Sequence, residues 1–259
     1  AGEVFPRERL FGTLDTLRLA PVIWIEGPAG CGKTYLTSSY LEARALPCLW
    51  YQVDPGDADP ATFFYYLGLA AKRTAPRKRK PMPLFTPEYV PGINTFSLRF
   101  FEELFNRLPS PCAVVFDNFQ EVQANSPFHE VIKNGLSTAP EGINVFCVSR
   151  EAPPPALTRM LTTDRMNILK WDDLRLTRDE LAGIVQLKNR TLSKNTISRL
   201  QDITDGWIAG LVLILQSAVT REMDEKLIGK MLPEEIADYF GGEIFFQNTP
   251  EEQDFLLKT

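Results

Sequence analysis

A single histidine, His129, stands in the whole chain, which argues against a triad built on imidazole or a His-rich metal site. Cysteine is scarce too: Cys31, Cys48, Cys112 and Cys147 are widely spaced and form no C-x-x-C pair. Three of the four sit in apolar or motif-bearing segments, which fits a reduced, cytoplasmic compartment better than a disulfide framework. No apolar run approaches the roughly 18 residues of a membrane span; the longest, Ile208 to Leu215, is far shorter. Nor is positive charge in excess, since 28 basic and 33 acidic residues leave a net charge of -5. A globally basic nucleic-acid binder is therefore excluded. With 44% hydrophobic and 24% charged residues over 259 positions, disordered and fibrous classes are excluded for most of the chain. The length suits one large domain or two modest ones.

What remains has a clear order. Val22 to Glu26, Leu49 to Val53, Ala113 to Phe116 and Asn144 to Val148 are short apolar runs that read as buried strands. Helical spacing separates them over Thr34 to Leu46, Pro60 to Lys72, Ser97 to Leu108 and residues 128–138. Strands alternating with helices predict an α/β fold whose parallel sheet is covered on both faces. After about residue 155, following Pro153-Pro154-Pro155, the strands give way to helices. Thr177 and Glu180 form a capping box, and helices are expected over Asn195 to Ile203, Trp207 to Val219 and Met231 to Phe240. The expected division is an α/β domain over 1–160, a small helical domain over 161–230 and a further domain beginning at 231. Lys72 to Lys80 holds six basic residues and precedes Pro81, Pro83, Pro87 and Pro91. Few aromatics interleave with the charges, so a solvated insertion is favoured over a nucleic-acid patch.

The chemistry is concentrated in Gly27, Pro28, Ala29, Gly30, Cys31, Gly32, Lys33 and Thr34, which match G-x-x-x-x-G-K-[ST] between a strand and a helix. Glycines let backbone N–H groups turn inward around phosphates, and the helix dipole adds to the attraction. Lys33 is expected to reach the β- and γ-phosphates, and the Thr34 hydroxyl to ligate Mg²⁺. Tyr35, next along the helix, completes this candidate ATP/ADP-binding set. Cys112 to Asp117 is an apolar strand ending in an acid, the Walker B pattern, which makes Asp117 the second Mg²⁺ ligand. The position after it is Asn118. An amide orients water but cannot take its proton, so hydrolysis is expected to be slow or absent, with Glu121 as a candidate substitute acid. Ser149-Arg150 ends the fourth strand. An arginine there lies at the ligand edge of an open α/β sheet and is a candidate for sensing the γ-phosphate; the alternative is a surface arginine paired with Glu151 or Asp117.

Taken together these residues resemble the STAND-class signalling ATPases, which are AAA+-like, and among them the MalT-like bacterial transcriptional regulators. Val4-Phe-Pro-Arg-Glu-Arg-Leu10 resembles the family's N-terminal "hhGRE" element, with Pro6 where the family has glycine. That match implies that Phe5 and Arg7 lie near the base or the phosphates. Trp50-Tyr-Gln-Val-Asp54, with Asp57, Asp59-Pro60 and Phe63, is similar to the family's W-x-x-L-D…D-x-D-P-x-x-F segment. Asp117-Asn118-Phe119-Gln120 stands where the family usually reads D-D-[YF]-H, and Thr204-Asp-Gly-Trp207-Ile-Ala-Gly-Leu211 resembles T-x-G-W-x-x-[AG]-L. Tyr239 through Leu257 looks like the opening of the family's winged-helix domain.

The resemblance implies a P-loop NTPase whose sheet is followed by a small helical domain and the start of a winged-helix domain. It implies a switch that rests with ADP and exchanges it for ATP when an inducer is sensed elsewhere. The ATP form self-associates and activates transcription, touching DNA only through a domain outside this chain, with no membrane partner. The chain stops at Thr259, inside what reads as a helix opened by Thr249-Pro250, and a fragment of a longer protein is expected. A P-loop kinase or a rapidly turning motor ATPase is the enzymatic alternative; a nucleotide-binding scaffold without hydrolysis is the third reading.

Overall fold

Short apolar runs here become strands buried on both faces, and amphipathic stretches become the helices that cover them. The computed structural model describes residues 5–77, 80–188 and 191–220. In chain order its elements are α1 (Glu8–Leu17), β1 (Val22–Glu26), α2 (Lys33–Ala43), β2 (Cys48–Gln52), α3 (Pro60–Thr74), α4 (Ile93–Phe105), β3 (Cys112–Asp117), α5 (Phe128–Ser137), β4 (Ile143–Ser149), α6 (Pro155–Thr162), β5 (Met166–Leu169), α7 (Trp171–Leu174), α8 (Arg178–Leu187), α9 (Lys194–Thr204) and α10 (Ile208–Thr220). They divide into two compact units. One takes Phe11–Gly27 and Thr37–Lys170; the other takes residues 5–10, 28–36 and 171 onward.

The first unit holds a five-stranded parallel sheet of order β2-β3-β4-β1-β5. β3, with neighbours on both sides, is buried at every position. Because all strands run the same way, β1, β3 and β4 end at one edge, with Glu26 opposite Ser149 in register. Four strands were expected and the sheet has a fifth. Met166–Leu169 pairs with β1 alone and its two central residues are only partly buried, so four residues of weak alternation do not stand out from the helices around them. Helix α1 also escaped the periodicity reading, since Gly12, Thr13 and Thr16 dilute it with poor helix formers. Its buried Leu10, Phe11 and Leu14 nevertheless share one face.

The core of this unit is aromatic. Phe63 lies 5.6 Å from Tyr51 and 5.0 Å from Phe128, ring centroid to centroid, edge on in both cases. What brings Phe63 there is the D-x-D-P segment. Asp54 accepts from the Gly56 N–H at 2.7 Å, and Asp57 accepts from the Asp54 N–H at 2.9 Å and from the Tyr51 hydroxyl at 2.5 Å. Asp59 caps α3 by accepting from the Thr62 N–H at 3.0 Å, with Pro60 in the first turn. These acids fix the exit of β2 and the start of α3. The lone His129 is a core residue as well, 3% exposed beside Phe119 and Phe128; burial lowers its pKa. In the basic stretch, Lys72 and Arg73 close α3, and Lys80 meets Glu103 at 3.3 Å; Lys78 and Arg79 lie outside the described residues.

The second unit is helical, built largely from α7 to α10. Leu176, Leu181, Val185, Leu200, Leu211, Ile214 and Leu215 form its core. The Thr177 capping box is present: its hydroxyl accepts from the Glu180 N–H at 3.2 Å and the Glu180 carboxylate accepts from the Thr177 N–H at 3.0 Å. Asp205 and Gly206, both left-handed, end α9 and turn the chain into α10. The helix expected from Met231, the winged-helix opening at Tyr239 and the helix from Thr249 lie outside the described residues.

Candidate nucleotide site

The phosphate loop leaves β1 after Gly27, whose N–H donates to the Ser149 carbonyl at 3.3 Å. Residues 28–36 belong to the helical unit. Gly30 and Gly32 have φ of +70° and +83°, left-handed values that glycine adopts without strain. A side chain on Gly30 would also collide, its Cβ falling 2.6 Å from Ala209 Cβ and 3.1 Å from Trp207 Nε1. One on Gly32 would fall 2.8 Å from Ile208 Cδ1. The Trp207 indole N–H donates to the Ala29 carbonyl at 2.8 Å, and the Ala209 N–H to the Gly30 carbonyl at 3.0 Å. Lys33 is 3% exposed; its ammonium donates to the Pro28 carbonyl at 2.9 Å and lies 3.6 Å from Cys31 Sγ. The Leu36 N–H donates to the Gly32 carbonyl at 2.8 Å, so the first turn of α2 grows directly out of the loop. Thr34 sits in that turn and Tyr35, 47% exposed, beside it. Burial pushes the Cys31 thiol up, against the lowering pull of Lys33, so it stays a small neutral wall of the loop.

Phe5 and Arg7 also sit in this unit, on α8. The Phe5 ring covers Gly183, whose missing Cβ would lie 2.1 Å from Phe5 Cε2. Arg7, 5% exposed, donates from Nη2 to Glu180 at 3.0 Å and to the Arg175 carbonyl at 3.1 Å. Its Nε and Nη1 are buried with no hydrogen-bond partner among the described residues. Arg7 therefore has donors left over after its ion pair.

In the sheet unit, Asp117 is 5% exposed at the end of β3 and accepts from the Asn118 N–H at 3.0 Å. Asn118 is left-handed, at φ 57° and ψ 41°, and 6% exposed; asparagine tolerates that conformation better than most side chains. Phe119–Glu121 is one turn of 3₁₀ helix, anchored where Phe119 meets Trp24 at 4.9 Å. Glu121 sits at the end of that turn, accepting from the Gln120 amide at 3.3 Å. Gln120 in turn accepts from the Arg150 N–H at 3.0 Å. The Arg150 Nε is buried with no partner, and no ion pair with Glu151 or Asp117 forms among the described residues. The Glu26 Oε2, one residue before the loop, is likewise buried and unpartnered. Glu26, Gln120 and Trp207 were not picked out as site residues by motif. Glu26 carried a local signal in its adjacency to Gly27, and Gln120 and Trp207 stood inside the Walker B and T-x-G-W segments without a site role.

Left-handed glycines followed by a lysine and a helix start are what a phosphate cradle requires, so the loop fits a nucleotide. No group of three or more His, Cys, Asp or Glu side chains among the described residues makes a metal cage.

Comparison with known proteins places the chain. The family described as "Nephrocystin 3, N-terminal" matches residues 12–150, more than half of the 259 residues. The chain belongs to that family. The match begins inside α1 and ends at Arg150, so it takes in the phosphate loop and all of β1 to β4. The chain is also 24% identical to the HTH-type transcriptional regulator MalT of Yersinia enterocolitica over 258 residues. It is 24% identical to MalT of Serratia proteamaculans over 259. Each alignment covers 97% of this chain and 28% of the relative, so the chain spans little more than a quarter of those proteins. Among solved structures, a Signal Transduction ATPase with Numerous Domains that carries a tetratricopeptide repeat sensor, from Pyrococcus horikoshii, matches at a TM-score of 0.58 and 15% identity. That alignment covers 97% of this chain and 38% of the other. A Walker-type ATPase of Pyrococcus abyssi matches at 0.55 and 14%, over 94% and 74%. The resemblance to MalT-like regulators thus extends over nearly the whole chain, and the fold is that of the STAND-class P-loop ATPases.

Proposed function

We propose that this chain is the ATP/ADP-binding switch module of a cytoplasmic transcriptional regulator. The observation that carries the reading is the loop itself: two left-handed glycines, a buried lysine and a helix start, on a chain that aligns with MalT over 97% of its own length. In this reading residues 27–35 hold the phosphates, Phe5 and Arg7 face the nucleotide, and Thr34 and Asp117 are the protein ligands of Mg²⁺. Held there, Mg²⁺ would supply neutralisation of the phosphate charge. Arg150, with its unpartnered Nε, stabilises γ-phosphate charge. Self-association of the ATP form and contact with DNA belong to the full-length regulator, the DNA contact through a domain outside this chain.

The first test is chemical. Purified chain, denatured and extracted, is expected to release ADP or ATP, or else to bind ATP with Mg²⁺ when supplied with it; a preparation that does neither ends this reading. Turnover is expected well below the enzyme median of about 10 per second, because Asn118 cannot accept a proton.

Asn118 also favours a second reading, a nucleotide-binding scaffold with no hydrolysis. Asn118→Asp separates the two, since aspartate tolerates the same left-handed backbone. If the missing acid is limiting, phosphate release should rise by about tenfold or more, the low end of what a positioned base contributes. An unchanged rate would point to Glu121 as the acid already in use, or to the scaffold if the rate is nil in both.

A further inference from the structure

The phosphate loop is gripped from outside by the start of α10, and the grip has a direction. In a planar trans peptide the C=O and N–H point to opposite sides. The Ala29 carbonyl accepts from the Trp207 indole at 2.8 Å, so the Gly30 N–H of the same peptide is turned away from Trp207. The Gly30 carbonyl accepts from the Ala209 N–H at 3.0 Å, so the Cys31 N–H is turned away as well. Two consecutive peptide units of the loop are thereby held with their N–H groups on one side. Side chains could not be interposed, since a Cβ on Gly30 would overlap Ala209 and crowd the indole. Trp207 is itself fixed: its N–H donates to the Thr204 carbonyl at 2.9 Å, and its carbonyl accepts from the Leu211 N–H at 3.1 Å.

We propose that Trp207 is a positioning residue for nucleotide binding, a latch whose indole N–H, with the Ala209 N–H, presets the Gly30 and Cys31 N–H groups toward the phosphates. The proposal rests on the nucleotide reading above and goes beyond it in assigning a residue of the helical region to the loop's geometry. Its energetic content is preorganisation: a loop already turned the right way spends less of its binding energy on ordering. Coupling is reciprocal. Phosphate drawn to those N–H groups tightens both bonds to α10, whose Leu211, Ile214 and Leu215 are core residues of the helical unit. The occupancy of the loop is thus felt directly at the helix that a conformational switch would have to move.

Trp207→Phe tests this, because it keeps an aromatic ring and removes only the donor. Two readouts are taken on the full 259-residue chain: ADP·Mg²⁺ affinity by calorimetry, and the indole N–H resonances of Trp24, Trp50, Trp171 and Trp207. Loss of one neutral hydrogen bond should weaken ADP by about three- to tenfold. The indole resonance missing from the variant should be the one that moves in wild type when ADP is added. Equal affinity in the variant, even with a lowered melting temperature, overturns the latch and leaves Trp207 a packing residue. So does a Trp207 resonance that ignores ADP. If wild type itself binds no nucleotide, it is the site reading that fails. Should Trp207→Phe not fold, Ala209→Pro takes its place. It removes the second donor in the first helical turn, where proline is tolerated, and the same loss of affinity is expected.

Discussion

Lys33→Ala should abolish measurable binding of ATP and ADP, a loss of at least about 100-fold. A hydrogen bond to a charged group contributes about 1.5 to 3 kcal/mol, and each 1.4 kcal/mol is a factor of ten in affinity. Lys33 would make such bonds to more than one phosphate oxygen. The lysine is 3% exposed and its ammonium is already held by the Pro28 carbonyl. A phosphate would add charged acceptors to the lysine, and charge-assisted hydrogen bonds are the stronger ones. The ligand-free stability of the variant is measured alongside by thermal unfolding, because the substitution also deletes that internal bond. A variant that folds as well as wild type and has lost its nucleotide confirms the assignment. Unaltered affinity would remove the phosphate loop from the site, and with it the proposed switch.

The reason this loop was legible in sequence is that its requirements are local. Left-handed glycines, a lysine and a helix start must follow one another within eight residues, whatever the rest of the chain does. The Thr177–Glu180 capping box and the Asp117 strand end are local in the same way, and each was found where expected. The D-x-D-P segment shows the opposite limit: its residues were recognisable, but that Asp57 braces Tyr51 needed the fold. Long-range bonds carry no periodic signal at all. Trp207 to Ala29 spans 178 positions and Arg7 to Glu180 spans 173. Each member of both pairs stood in a recognisable segment, with nothing in the spacing to say that the two segments meet. β5 was hidden for a different reason, since an edge strand of four residues needs only one partner and little burial.

Glu180→Ala should lower the stability of the helical unit by about 3 kcal/mol or more, the scale for breaking a buried ion pair from one side. Glu180 has two duties. Its carboxylate closes the capping box on Thr177 and receives Arg7 at 3.0 Å, with Arg9 at 3.3 Å beside it. Arg7 is 5% exposed and already has two unpartnered nitrogens, so removing the carboxylate strands a charge that cannot reach water. Burial alone would raise the Glu180 pKa. Hydrogen bonds from Arg7 and the Thr177 N–H, the Arg7 charge and the Arg9 contact together outweigh it and hold the carboxyl below its ordinary 4.5. A folded-state pKa below the unfolded value means the unfolded chain binds more protons in acid. The stabilisation is therefore fully present above about pH 4.5 and is lost as the pH falls through the folded value. Asp15 and Glu103 are likewise lowered, first of all by an arginine hydrogen bond, and add acid-dependent terms of the same sign. The signature of Glu180 is consequently the difference between wild type and Glu180→Gln in urea unfolding. That difference should be constant near neutrality and shrink below pH 4.5. A difference that stays flat down to pH 3 would mean that Glu180 acts through its cap geometry and not through its charge.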